Sequence, residues 1–223
     1  RLSLVGSEMC IRDRYKDNVI MSGGSMMYVD AVCKGIDDIP SVDDNIRKTL
    51  QERFDKEGLS GISKELALLD PDYHAIVDKN NHKRIIHALE ICLSTGKPYS
   101  SFRKNTTKER PFRIIKIGLN MDRQRLYERI DLRVEQMIHD GLIQEALNVY
   151  EYKNLNALNT VGYKETFEYL DGLCTLDNAI FRIKSNTHKY CRKQLTWFRR
   201  DPNIHWFSPD NIEEIINYIN TFI

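Results

Sequence analysis

The stretch Asp17-Asn18-Val19-Ile20-Met21-Ser22-Gly23-Gly24-Ser25-Met26 decides the fold class. Its apolar centre, Val19-Ile20-Met21, predicts a short buried strand over 17–21. Ser22 to Ser25 are small residues that close the strand in a glycine turn, and a helical pattern then runs from Met26 to about Lys34. Strand, glycine turn and helix in that order is how α/β proteins build sites at strand carboxyl ends. Gly35 is the expected helix stop, and Pro40 keeps the helix from resuming.

Working outward, residues 41–110 read as mostly helical. Ser41-Val42-Asp43-Asp44 has the composition of a helix start, with acids in the first turn. Ile46, Leu50 and Phe54 recur every four residues, and Gly58 ends that run. Further helices are expected over 61–69, after Asp70-Pro71, and from Asn80-Asn81 to Thr95-Gly96-Lys97-Pro98. Polar residues 104–110 read as a loop. The β-branched run in 112–119 predicts a second strand, and Ile204-His205-Trp206-Phe207 a last one. Between them helices are expected over 122–139, 142–150, 163–170 and 176–200; Pro209-Asp210 opens a final amphipathic helix. Strands framing a helical block give an α/β core, 15–40 with 111–223, interrupted by a helical insertion over 41–110.

The chain has 223 residues with 41% apolar and 29% charged side chains and a formal net charge of +1. This is the balance of a soluble globular protein, so any nucleic-acid surface has to be a local patch. The five cysteines form no CxxC pair, which points to reduced thiols in a cytosolic protein rather than a disulfide framework or zinc knuckle. No apolar run approaches the roughly 18 residues of a membrane span. The first residue is Arg. Residues 1–14 resemble a translated sequencing adapter rather than a signal peptide, and are expected to be a non-native leader; a variable native arm is the alternative.

Five segments carry chemistry. Gly23-Gly24-Ser25 lets backbone approach a ligand and adds a hydroxyl, although a plain strand-to-helix turn would look the same. Lys83, Arg84, His87 and Glu90 share a helix opposite Ile85, Ile86 and Leu89; the readings are an RNA-backbone contact or a solvated face. Arg125, Arg129 and Arg133 recur every four residues, a guanidinium row suited to phosphate or diphosphate, unless Glu128, Asp131 and Glu135 neutralise it. Asn159-Thr160-Val161-Gly162-Tyr163-Lys164 sets an aromatic and a base at a helix start, a pairing that suits single-stranded RNA, with Tyr163 otherwise a core residue. The fifth is the strongest signal: residues 181–200 hold seven Lys or Arg and no Asp or Glu. Phe181, His188, Cys191, Leu195 and Phe198 form the stripe expected to face the core. Arg182, Lys189, Lys193, Thr196 and Arg200 form another face, an electrostatic footprint for polyanions unless the acidic C-terminal segment balances it. Gly96-Lys97 is a decoy, because the GxxxxGK[ST] spacing fails around it.

These segments occur in the order and spacing of the tRNA dimethylallyltransferase (isopentenyltransferase) family. The resemblance runs from about Tyr15 to Phe207. Its most specific pieces are Ser22-Gly23-Gly24-Ser25-Met26-Met27-Tyr28, Lys83-Arg84 through Glu90, Val161-Gly162-Tyr163-Lys164, and Arg192-Lys193-Gln194-Leu195-Thr196-Trp197-Phe198-Arg199 followed by His205-Trp206. The resemblance implies a P-loop NTPase-like parallel sheet with a helical insertion and a helix-rich C-terminal part. It implies transfer of a dimethylallyl group from dimethylallyl diphosphate, with Mg²⁺, to the exocyclic amine of the adenosine 3′ to the anticodon of a tRNA. The base would leave its stack to be reached. Carried onto this chain, Ser25 matches a hydroxyl that contacts the target nucleotide, with Gly23 and Gly24 beside it. Arg47, Lys83, Arg84, His87, Asn159 to Lys164, and Arg192, Lys193, Gln194, Thr196, Trp197 and Arg199 match tRNA-contact segments. Arg129 and Arg133 are candidates for holding the diphosphate. A cytoplasmic monomer is expected.

The family's phosphate loop and proton-accepting Asp would precede Tyr15, where this sequence has the leader. Mg²⁺ and diphosphate would then lack their main ligands. Two other readings fit part of the sequence: a non-enzymatic basic RNA-binding module, and a prenyltransferase for free adenine nucleotides. The expectation is that this chain alone does not prenylate an anticodon stem-loop in the presence of Mg²⁺ and labelled dimethylallyl diphosphate. Turnover near that of a full-length relative would overturn it, because the departing diphosphate would have found its charge stabilisation elsewhere.

Overall fold

A computed structural model describes residues 18–104 and 107–222. The described elements are α1 (Met26–Lys34), α2 (Asp44–Leu69), α3 (Pro71–Ile76), α4 (His82–Thr95), β1 (Lys116–Leu119), α5 (Arg123–His139), α6 (Leu142–Asn148), α7 (Tyr163–Leu170), α8 (Leu176–Phe198), β2 (Ile204–Phe207) and α9 (Ile212–Asn220). Short 3-10 turns add Tyr99–Ser101, Tyr150–Tyr152 and Asn156–Leu158. None of the described helices is long and apolar enough to cross a membrane. Cys92, Cys174 and Cys191 are free thiols; Cys10 and the leader lie outside the described residues.

The described part divides into two compact units, one built on 27–112 and one on 21–26 with 113–222. The first takes in α1, whereas the expected boundary stood at residue 41. The reason is local: Arg110 donates to the Ala31 carbonyl at 2.7 Å, and the Lys108 N–H to the Lys34 carbonyl at 2.8 Å. These bonds fasten the chain that returns from the helical block to the end of α1.

The helical unit is a layer of α2 packed on α4. Leu50, Ile62, Leu66, Ile85, Leu89 and Ile91 are its solvent-free centre. Gly58 sits at φ +69° inside α2, so the run bends there into two segments, as its glycine predicts. Asp43 caps α2 by accepting from the Asn45 N–H at 2.8 Å, and Asn81 caps α4 by accepting from Arg84 at 3.2 Å. Asp70 ends α2 and starts α3. Its fully buried carboxylate accepts from the Tyr73 N–H (3.0 Å), the Ser100 N–H (2.6 Å) and the Ser100 hydroxyl (2.8 Å).

In the second unit β1 and β2 pair in parallel, with Lys116 opposite Ile204 and Leu119 opposite Phe207. A parallel pair needs a long crossover, and helices α5 to α8 lie within it. Gly118 is required where it stands, since a Cβ would come within 2.6 Å of the Trp206 ring and 2.8 Å of the Ile204 methyl. Lys116 and Asp201 form an ion pair of 2.6 Å across the strand starts. Tyr218 of α9 stacks on His205 at 4.4 Å. Val134, Leu142 and Ile183 form the seam of α5, α6 and α8.

The α/β class is therefore as expected, and two sequence expectations are corrected. Residues 18–21 form no strand, and Ile20 is 92% exposed. An apolar run becomes a strand only where a neighbouring ladder takes its N–H and C=O groups, and none of the described strands pairs with it. Strand 112–119 shortens to Lys116–Leu119, the four residues that face β2.

Asp70→Ala is expected to destabilise the helical unit by about 2–3 kcal/mol, since three donors lose one shared acceptor. Urea unfolding of the full chain measures it. A loss below about 0.5 kcal/mol would mean that water replaces the carboxylate without cost.

Candidate nucleic-acid interface

Helix α8 begins at Thr175, whose hydroxyl accepts from the Asn178 N–H at 3.3 Å, and runs into its basic half without a break. Its first half is anchored by Ala179 and Ile183, both buried. Phe181, expected in the core stripe, is 68% exposed. The rest of the stripe, His188, Cys191, Leu195 and Phe198, is half-buried, and His188 stacks on Tyr127 of α5; near the start of the helix Ile183 takes the buried place instead of Phe181.

The cations of α8 fall into two groups. Lys184 pairs with Glu135 at 2.6 Å, and His188 Nε2 lies 2.9 Å from Asp131 Oδ1. Arg192 donates to the Tyr127 hydroxyl at 3.0 Å. These residues recur at i, i+4 and i+8 on α8 and in reverse order on α5, so two antiparallel helices share a polar ladder. The His188 and Asp131 atoms are buried and close without forming a linear hydrogen bond, and the contact is an ion pair only when the imidazole is protonated. Arg182 is also committed, to Glu168; its expected place among the free cations is corrected, because α7 supplies a carboxylate there. Glu168 holds the Arg182 guanidinium above its ordinary range.

The second group faces outward. Lys189, Arg192, Lys193 and Arg200, with Thr196, Trp197 and Met26, line an open groove of about 440 Å³. Lys193 and Arg199 have no ion pair among the described residues. The Arg200 guanidinium lies 5.2 Å from the Trp197 ring centre. Of the acids of the C-terminal segment, Asp210 pairs with Arg125 at 3.4 Å and Glu214 accepts from the Asn211 amide at 2.9 Å.

The glycine turn reaches the same groove. Gln194 donates its side-chain amide to the Gly24 carbonyl at 2.6 Å, which seats Gly23, Gly24 and Ser25 beside α8 and brings Met26 into the groove wall. Ser25 is exposed there. Two segments that lie 170 residues apart in sequence are thus held together by one hydrogen bond.

The Asn159 to Lys164 segment is fixed from below by Glu165. This carboxylate is 2% exposed and accepts from the Gly162 N–H at 2.8 Å and from Asn186 of α8 at 2.7 Å. Thr166 donates its hydroxyl to the Gly162 carbonyl at 2.7 Å. Gly162 takes φ +104°, a left-handed value suited to glycine. Tyr163 lies nearly parallel to Phe167 at 5.9 Å, and its hydroxyl bonds to Glu145, which raises its phenol above the ordinary range. The ring is therefore partnered within the protein, while Asn159, Thr160, Val161 and Lys164 are exposed.

Within the helical unit, Lys83, Arg84 and His87 are exposed on α4. Glu90, read as part of the same face, is buried: it takes Arg47 at 3.1 Å and His87 at 3.4 Å on its two oxygens. It thus fixes two of the expected contact residues and shows no charge to solvent. On α5, Arg125, Arg129 and Arg133 are all exposed. Of the acids beside them, Glu135 pairs with Lys184 and Glu128 accepts from the Gln124 amide, while Arg125 itself pairs with Asp210.

No group of three His, Cys, Asp or Glu side chains among the described residues is placed to hold a metal ion. The phosphate loop and Asp expected to serve Mg²⁺ would precede residue 15, outside the described residues.

Sequence reasoning missed Tyr127, Asn186 and Glu165. The last had a signal, since a glutamate three residues into a helix is the position that reaches back to the N-cap N–H. Tyr127 and Asn186 act across helices and leave no local trace.

The profile of the IPP transferase family matches residues 7–201. The tRNA dimethylallyltransferase 1 of Phocaeicola vulgatus is 60% identical over 205 residues, 92% of this chain and 68% of that protein. The crystal structure of a full-length tRNA isopentenylpyrophosphate transferase from Bacillus halodurans is 36% identical, with a TM-score of 0.53 over 87% of this chain and 63% of that one. A eukaryotic dimethylallyltransferase acting on tRNA shares the fold at a TM-score of 0.66 and 24% identity, over 90% of this chain and 55% of that one. The chain spans roughly two thirds of the length of these bacterial relatives. With the family profile covering most of its length, the chain belongs to the IPP transferase family.

Proposed function

We propose that this chain serves tRNA modification: it carries the tRNA-binding surface, and part of the transfer site, of an enzyme that moves a dimethylallyl group from its diphosphate to the exocyclic amine of the adenosine 3′ to the anticodon. The Gln194–Gly24 bond carries the reading, because it sets a hydroxyl-bearing turn against a groove of cations. The cations of α8 take backbone phosphates, and the groove's Trp197 and Met26 offer apolar surface to an unstacked base. Ser25 hydrogen-bonds the target nucleotide.

In the reaction the amine nitrogen forms a bond to the allylic carbon. The carbon–oxygen bond to diphosphate breaks, the electron pair leaves with the diphosphate, and the nitrogen gives up a proton. Arg129 and Arg133 neutralise the departing charge from the exposed face of α5. Mg²⁺ would travel with the diphosphate, as it commonly does with phosphate ligands.

Filter binding of an anticodon stem-loop at several salt concentrations tests the surface. Replacing Arg192, Lys193 and Arg199 by Ala is expected to weaken binding and to reduce the log–log salt slope by about 2, at roughly 0.7 per contact. Matched changes at Lys48 and Lys56, on mixed-charge α2, are expected to leave the slope in place. Ser25→Ala is expected to weaken binding about fivefold, the loss of one hydrogen bond of about 1 kcal/mol. Equal binding by the triple variant would place the RNA surface elsewhere. Free AMP competing as well as the stem-loop would favour a free-nucleotide substrate.

A further inference from the structure

Arg192 is the one groove cation that belongs to both groups: it lines the groove and is also held from behind. The holder is Tyr127 of α5. Its hydroxyl accepts from Arg192 Nη1 at 3.0 Å and from Arg123 Nε at 3.2 Å. Its ring is fixed in turn. It stacks on His188 with centroids 4.1 Å apart and planes within 10°, and the Arg123 guanidinium lies 5.3 Å from its centre. His188 is set by Asp131 at 2.9 Å. Asp131 stands one helical turn beyond Tyr127, and His188 one turn before Arg192. The four residues form a closed rectangle across two helices, with Arg192 at its open corner.

A guanidinium has five donors in a planar fork, and a fork held by one donor presents the rest in a fixed direction. Lys189 and Lys193, by contrast, are point charges on flexible stems. Freezing a long side chain before binding removes an ordering cost that would otherwise be met when phosphate arrives. The Arg192 hydrogen bond, helped by Arg123, also draws the Tyr127 phenol below its ordinary range, consistent with a hydroxyl that serves as acceptor.

We propose that Tyr127 is a positioning residue for RNA: its hydroxyl presets Arg192 so that the remaining guanidinium donors meet one backbone phosphate in the groove. This rests on the reading of the α8 groove as an RNA surface. It assigns Tyr127, which adds no charge, a share of the affinity, and it assigns Asp131 and His188 the role of holding the ring.

The test is a pair of double-mutant cycles on the full chain, read by filter binding of an anticodon stem-loop. Tyr127→Phe removes only the hydroxyl. It is expected to weaken binding about three- to tenfold while leaving the salt slope unchanged, since no cation is lost. Arg192→Ala is expected to weaken binding and flatten the slope by about one contact. In the Arg192→Ala background, Tyr127→Phe should have no further effect; in the Lys193→Ala background, it should weaken binding as much as it does alone.

A Tyr127→Phe effect of equal size in both backgrounds would overturn the proposal, because that is the signature of a packing defect in the α5–α8 seam. No Tyr127→Phe effect alongside a large Arg192→Ala effect would also overturn it, and leave the RNA surface standing. If neither Arg192→Ala nor Lys193→Ala weakens binding, the RNA surface itself fails and the proposal goes with it.

Discussion

Residues 181–200 carry seven Lys or Arg and no carboxylate, so the anions that meet this stretch come from other elements. This charge imbalance organises the second unit. Helix α5 supplies Glu135 and Asp131, helix α7 supplies Glu168 and the buried Glu165, and Tyr127 supplies an oxygen. Helices α5 and α7 each meet α8 through such contacts, with the Ile183 seam beside them. What is left over, the side away from α5 and α7, keeps its charge because no partner is within reach.

The arrangement separates stability from recognition on one helix. The pairs of Lys184 with Glu135 and of Arg182 with Glu168 link α8 to its neighbours, whereas unpaired surface cations add little to folding and remain available to a polyanion. The same division recurs in the helical unit, where buried Glu90 fixes Arg47 and His87 from below while Lys83 and Arg84 stay free on the surface. In the helical unit a buried acid sets the direction of bases that solvent can reach; on α8 the holder of Arg192 is the Tyr127 hydroxyl. An interface built this way meets phosphate with side chains already ordered.

Much of the helical layout was legible because helix ends are local decisions. Asp43, Asn81 and Asp122 cap with their own side chains, and Gly35, Gly58, Gly96 and Gly141 take positive φ where the chain turns. The strand over 17–21 was not, since β-branched residues offer propensity and a ladder has to be supplied by another part of the chain. Phe181 misled for a related reason: its spacing of seven from His188 is arithmetically sound, but Ile183 fills the seam near the start of α8, and His188 alone of the two packs on α5. Of the site, the basic run and the glycine turn were readable as separate pieces. Their meeting through Gln194 was not, because a single amide bridging 170 positions leaves no pattern in either segment.

That amide has a consequence for how the protein can vary. A Cβ at Gly24 would fall on the Gln194 side-chain nitrogen. The obstacle is the tip of a flexible side chain, so an alanine there would be accommodated by the glutamine swinging away, and the turn would fold but come untied. Positions 24 and 194 therefore behave as one inherited character: a side chain gained at the first is a tether lost at the second. A lineage that replaces the glycine would be under pressure to find another way of fastening the turn to the helix.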